Sequence, residues 1–190
     1  MNKKRQKQIE EIATTTLQKC GCYPMDASEL DKNSGIDIKK VISTLGIELM
    51  VYDFGENVSG VLIRDGEGAK IGYASHNGPR RQRFTIAHEL GHYILGHQRQ
   101  GIFVDTPEKY FTLFRDHVSS TGEDSQEREA NAFAASILMP RNLLIEAATK
   151  IYQSGITRNE EFDIVEELAE KFQVSKLAMS IRFTNLDLIW

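Results

Sequence analysis

Two cysteines in 190 residues are too few for a disulfide framework. They stand together as Cys20-Gly21-Cys22, and reduced, idle thiols are the expected state. No apolar run approaches the roughly 18 residues needed to cross a bilayer. A secretory leader is not expected either, because the basic start Met1-Asn-Lys-Lys-Arg5 runs into Gln8-Ile-Glu-Glu11 where an apolar segment would have to stand. The cytoplasm is the expected compartment. Positive charge is not in excess: the net charge is -4, which argues against a strong general attraction to nucleic acid or anionic membrane. Internal repeats and low-complexity segments are missing as well. What remains is an ordinary globular composition, 41% hydrophobic and 26% charged, enough for one well-packed domain with a small appended lobe.

Against that plain background one run carries chemistry: Arg83-Phe-Thr-Ile-Ala-His-Glu-Leu-Gly-His-Tyr-Ile-Leu-Gly-His97. A helix turns about 100° per residue, so His88 and His92 share a face one turn apart and can grip one cation. Glu89 lies beside that pair. This is the HExxH pattern, in which the Glu acts as general base beside a metal held by the two His. Phe84, Ala87, Leu90, Gly91, Ile94 and Leu95 form an apolar stripe that the two histidines border. Pro79 suits the first helical position and Gly96 the stop.

The organisation around it follows from pattern. Residues 3–19 form an amphipathic helix with Ile9, Ile12, Ala13 and Leu17 on one side, broken at Cys20–Pro24. A short helix is expected at about 37–45, ending at Gly46. Strand-like runs follow at Ile47–Phe54, Ser59–Arg64 and Ala69–Ser75, and the turns between them predict an antiparallel meander. Gly101–Val104 suits a short strand, and Thr112–His117 a helical turn or loop. Further helices are expected at about 125–139, 140–151, 160–172 and 175–184. The fold class is α+β: a small antiparallel three-stranded sheet on the HExxH helix, then a mainly helical C-terminal part. The expected divisions are 1–25, an N-terminal helical extension; 26–139, the peptidase core; and 140–190, a helix-turn-helix-like lobe packed on it.

Catalytic zinc takes three protein ligands and keeps a position for water. His97 is near, but on a continuing helix it points away from His88 and His92, and capping the helix end suits it better. In Ser125–Pro140, Ala130, Phe133, Ala134, Ile137 and Leu138 make an apolar face, and Glu127 and Asn131 fall on or beside it. An inward carboxylate and amide need partners, because burying them unpaired costs several kcal/mol. Glu127 as third ligand and Asn131 as hydrogen-bond partner of a ligand His would supply them. Glu127 also suits a capping box with Asp124. Glu123 would occupy the same face one turn earlier, whereas Glu129 points elsewhere.

The stretch Arg81-Gln-Arg-Phe-Thr-Ile-Ala-His-Glu-Leu-Gly-His92, with Glu127-Arg-Glu-Ala-Asn-Ala-Phe-Ala-Ala-Ser-Ile-Leu-Met-Pro140, closely resembles the ImmA/IrrE family of bacterial and phage zinc metallopeptidases. The likeness runs from about residue 35 to 186 and leaves residues 1–25 outside it. It implies a gluzincin-like endopeptidase with one zinc ion on His88, His92 and Glu127, and with Glu89 as general base. It also implies a protein substrate of the helix-turn-helix repressor type.

The expected reaction is zinc-assisted peptide-bond hydrolysis, with Glu89 taking the proton from the attacking water. Tyr93, Tyr110 and His117 are candidates for steadying the oxyanion, and Lys70–Ser75 for the free strand edge on which substrate lies. His/Glu sites also accept manganese. The rival functions are a regulator that holds zinc and sequesters the repressor without cutting, and a DNA-binding protein. For the latter, Leu168–Arg182 has helix-turn-helix spacing with Gln173 where Gly is usual, and Lys171, Lys176 and Arg182 as its cations.

Overall fold

The computed structural model describes residues 1–30, 35–53, 58–65, 68–97, 122–153 and 161–188. The expected elements at Gly101–Val104 and Thr112–His117 lie outside these residues.

The chain opens with α1, Lys3–Lys19, whose first turn is capped by Asn2 accepting from the Arg5 amide. Ile9, Ala13 and Leu17 are fully buried and Ile12 packs partly against the core, as the sequence predicts. Gly21, at φ +60, ends the helix. A short 3₁₀ turn at Ala27–Glu29 leads to α2, Ile38–Thr44, capped by Asp37.

Among the described residues the sheet has three strands: β1 Glu48–Tyr52, β2 Gly60–Asp65 and β3 Gly68–Ala74. Their order is β1-β3-β2, so they do not form the expected antiparallel meander. β3 runs antiparallel to β2, with Gly60 opposite Tyr73, and parallel to β1, with Glu48 opposite Lys70. The α+β class holds, with a mixed sheet. Alternation of apolar and polar residues fixes which face a side chain takes, but it does not name the neighbouring strand. A parallel pair cannot be joined by a tight turn, and here β2 lies between β1 and β3 in the chain. A second expectation falls with the first. Lys70–Ser75 cannot offer a free edge, because β3 is central and paired on both sides. Among the described residues the outer strands are β1 and β2.

The HExxH helix is α3, Pro79–Ile94, and it packs on β2 and β3. It is followed by α4 Gly122–Leu138, α5 Arg141–Gln153, α6 Glu161–Phe172 and α7 Lys176–Asn185. Among the described residues the most extensive helix pairing is α3 with α4, and α1 also packs along α4. One cluster of buried apolar residues links these elements from Ile9 to Leu186, with Phe133 and Phe172 its largest fully buried members.

Arg83 fastens the C-terminal helices to α3. Its guanidinium donates to the carbonyl of Gln173 at 3.2 Å and of Ile36 at 2.8 Å. Gln173 holds φ +54 between α6 and α7, so a Gln does occupy the left-handed position where glycine is usual. Its side chain donates to the Glu170 carbonyl at 2.7 Å.

Candidate metal centre

Helix α3 starts at Pro79 and stops at Gly96, whose φ of +68 closes a Schellman turn. In that turn the Gly96 amide donates to the Tyr93 carbonyl and the His97 amide to the His92 carbonyl. Arg64 of β2 adds its guanidinium to the same carbonyls, at 2.8 Å from His92 and 3.1 Å from Tyr93. A cation there suits the negative end of the helix dipole. The Tyr93 ring lies under this guanidinium, 5.3 Å from its carbon.

His88, Glu89 and His92 are all buried. The imidazoles present Nε2 to one another at 3.0 Å. Glu127 of α4 reaches both, at 3.2 Å from His88 Nε2 and 3.5 Å from His92 Nε2. Two nitrogens and a carboxylate thus converge on one point, the only such group among the described residues.

These separations can be tested against an ion. Bonds of ~2.0–2.1 Å in a tetrahedral site place neighbouring ligand atoms ~3.3 Å apart, and the three distances fall on either side of that value. Charge agrees with distance. Glu89 and Glu127 bring two carboxylates into a buried space with two imidazoles, a costly arrangement that a divalent cation offsets. The donor set fits such an ion.

Each histidine of this group is held from behind. Asn131 Oδ1 accepts from His88 Nδ1 at 2.8 Å, the role predicted for this amide. Behind His92 the sequence reading missed a partner: His97 Nδ1 lies 2.9 Å from His92 Nδ1. Its Nε2 is 3.4 Å from Glu129 Oε2. Glu129 in turn receives Arg5 of α1 at 2.8 Å and 2.5 Å. The Arg5 hydrogen bond, more than the His97 one, holds the Glu129 carboxyl below the usual carboxylate range. His97 and Glu129 lie outside the His88–His92–Glu127 group. The side chain of Glu123, and residues Tyr110 and His117, lie outside those described.

Gly60 of β2 passes directly over the active turn of α3. A Cβ there would come within 2.3 Å of Thr85 Cγ2 and 3.3 Å of Glu89 Oε1. The outer strand β2 therefore borders the Glu89 carboxylate.

Residues 42–184 match the family Peptidase_M78, described as the IrrE N-terminal-like domain. The chain belongs to this family. Among curated proteins none matches it significantly. In fold it is similar to a solved structure titled a Mycobacterium tuberculosis transcriptional regulator, with a TM-score of 0.54 and 15% sequence identity. That likeness covers 93% of this chain and 46% of the other, so this chain spans less than half of that protein's length.

Other features are quieter. Cys20 and Cys22 are free, and burial pushes both thiols up, away from the reactive thiolate. No helix among the described residues is long and apolar enough to cross a membrane. Of the cations in the helix-turn-helix-like segment, Arg182 is buried against Glu10 and the Met139 carbonyl, and Lys176 is paired with Glu166 at 2.7 Å. Arg182 is thereby removed from phosphate contact.

Proposed function

We propose that this chain is a zinc-dependent endopeptidase that cuts a protein partner, a helix-turn-helix repressor being the favoured class. The observation that carries this reading is the convergence of His88, His92 and Glu127 with the buried Glu89 adjacent to His88. Membership of a peptidase family supports it. A structural zinc site has no use for a buried acid at position 89, which speaks against the non-cleaving alternative.

His88, His92 and Glu127 would hold the ion, which when bound supplies Lewis-acid polarisation of the attacking water and of the scissile carbonyl. Glu89 accepts the proton released by the water and delivers it to the departing amine nitrogen. Asn131 keeps the His88 ring turned so that Nε2 faces inward. The burial of these groups excludes bulk water and strengthens each electrostatic interaction.

The substrate is expected to lie extended beside β2, adding a strand at its outer edge. Support for this edge is the approach of Gly60 to Glu89, which puts a main chain beside β2 next to the general base. Main-chain pairing is nearly blind to sequence, so selectivity rests on docking the whole partner.

Incubation with candidate helix-turn-helix repressors, with and without chelator, tests the function directly. Chelator-sensitive fragments are expected. Glu89→Gln should bind zinc as the wild type does and yield none; cleavage retained in that variant removes Glu89 from the mechanism.

A further inference from the structure

The ligand histidines are supported unequally. His88 Nδ1 is met by a neutral amide, that of Asn131. Behind His92 a longer series runs through His97 and Glu129 to Arg5 of α1. Arg5 lies outside the residues 42–184 that the family model matches.

With His97 neutral, hydrogen-bond roles along this series are set from its outer end. An arginine has only donors, so Arg5 fixes Glu129 as a carboxylate that accepts. Glu129 Oε2 then requires a hydrogen on His97 Nε2. A neutral imidazole carries one hydrogen, so His97 Nδ1 is left with its lone pair. That lone pair must accept from His92 Nδ1, 2.9 Å away. His92 is thereby set in the tautomer whose Nε2 lone pair points at Glu127 and His88. A metal needs that lone pair in that place.

We propose that His97, Glu129 and Arg5 are positioning residues for the ligand His92, and that helix α1 is the outermost part of the metal centre. The inference rests on the metal site proposed above. It turns α1 from a packing element into a determinant of metal affinity. The relay acts through bond direction and leaves the peptide-cleaving groups untouched.

The test uses the full chain and two readouts: zinc affinity by competition with a chromophoric chelator, and the visible absorption of the Co²⁺-substituted protein. Arg5→Ala and Glu129→Leu should each weaken zinc about 10-fold or more and shift the Co²⁺ bands, with circular dichroism retained. Glu129→Gln keeps an acceptor for His97 and should fall between Glu129→Leu and the wild type. Because the residues act in one series, the Arg5→Ala/Glu129→Leu double variant should bind no more weakly than Glu129→Leu alone. Glu10→Gln loosens the same helix away from the site, and should lower thermal stability while leaving zinc affinity unchanged.

Wild-type affinity and spectra in Arg5→Ala would overturn the relay, as would an equal loss in Glu10→Gln. Should Glu129→Leu fail to fold, Arg5→Ala and Arg5→Lys decide the matter, since Arg5 is at the less buried end. A wild-type chain that binds neither zinc nor Co²⁺ instead overturns the metal site itself.

Discussion

Gly91 and Ala130 are a point at which the helices carrying His92 and Glu127 touch: a Cβ on Gly91 would stand 3.1 Å from the Ala130 carbonyl oxygen and 3.2 Å from its Cα. Gly91 directly precedes His92, and Ala130 lies just under one helical turn beyond Glu127. The missing side chain therefore sets how far the Glu127 carboxylate must reach.

The first prediction follows from that spacing. Gly91→Leu forces α4 away from α3 against backbone atoms that cannot rotate aside. Overpacking of this kind costs about 1–3 kcal/mol. Zinc affinity should fall by at least an order of magnitude, read by chelator competition. Undiminished affinity would show that the helices can part without moving the ligands.

Gly60 makes the second case, because the obstacle there is a single methyl. Gly60→Ala should destabilise the fold by about 1–3 kcal/mol and depress cleavage, since the new Cβ meets Thr85 Cγ2 at 2.3 Å. Thr85→Ser removes that methyl and keeps the hydroxyl. The double variant should regain a measurable part of the stability in a urea titration. Simple additivity of the two losses would place the strain elsewhere.

The buried Arg182 and the half-buried Glu10 pair at 2.6 Å and 3.1 Å, which ties α7 to α1. Removing one partner of a fully buried pair costs about 3–5 kcal/mol, and the access of Glu10 to water places this loss below that range. Arg182→Met should lower the melting temperature markedly and leave the affinity for duplex DNA at whatever level the wild type shows. A large loss of DNA binding, with the fold intact, would return the helix-turn-helix-like segment to a nucleic-acid role.

The fourth prediction concerns acid. Arg5 depresses the Glu129 carboxyl in the folded state, while the unfolded chain keeps the ordinary value near ~4.3. The unfolded state therefore takes up the proton first as pH falls. The stabilisation is present above the ordinary glutamate range and is lost as pH drops through the folded-state value. The stability gap between wild type and Glu129→Gln should be widest near neutrality and narrow below about pH 4. A gap independent of pH would mean that packing, and not charge, is what the substitution removes.

Much of the metal centre was legible because helical spacing alone puts His88 and His92 together, and the inward bias of Glu127 and Asn131 shows on a helical wheel. The Pro79 start and Gly96 stop were legible for the same local reasons. On a continuing helix His97 would point away from His92, yet the left-handed Gly96 just before it turns the chain back toward that ring. Strand order was beyond reach because it depends on which runs meet after a crossover, and alternation is silent on that. The role of Arg5 was hidden more deeply. Nothing local in Lys3–Lys19 says that its first turn will meet an acid so far along the chain.

Carbonyl acceptors do not titrate. The clasp that Arg83 makes on Ile36 and Gln173 keeps its strength at acidities where the Arg5–Glu129 link has dissolved. Souring the medium thus releases the outer prop of one imidazole well before it unseats the terminal helix pair from the rod that carries both.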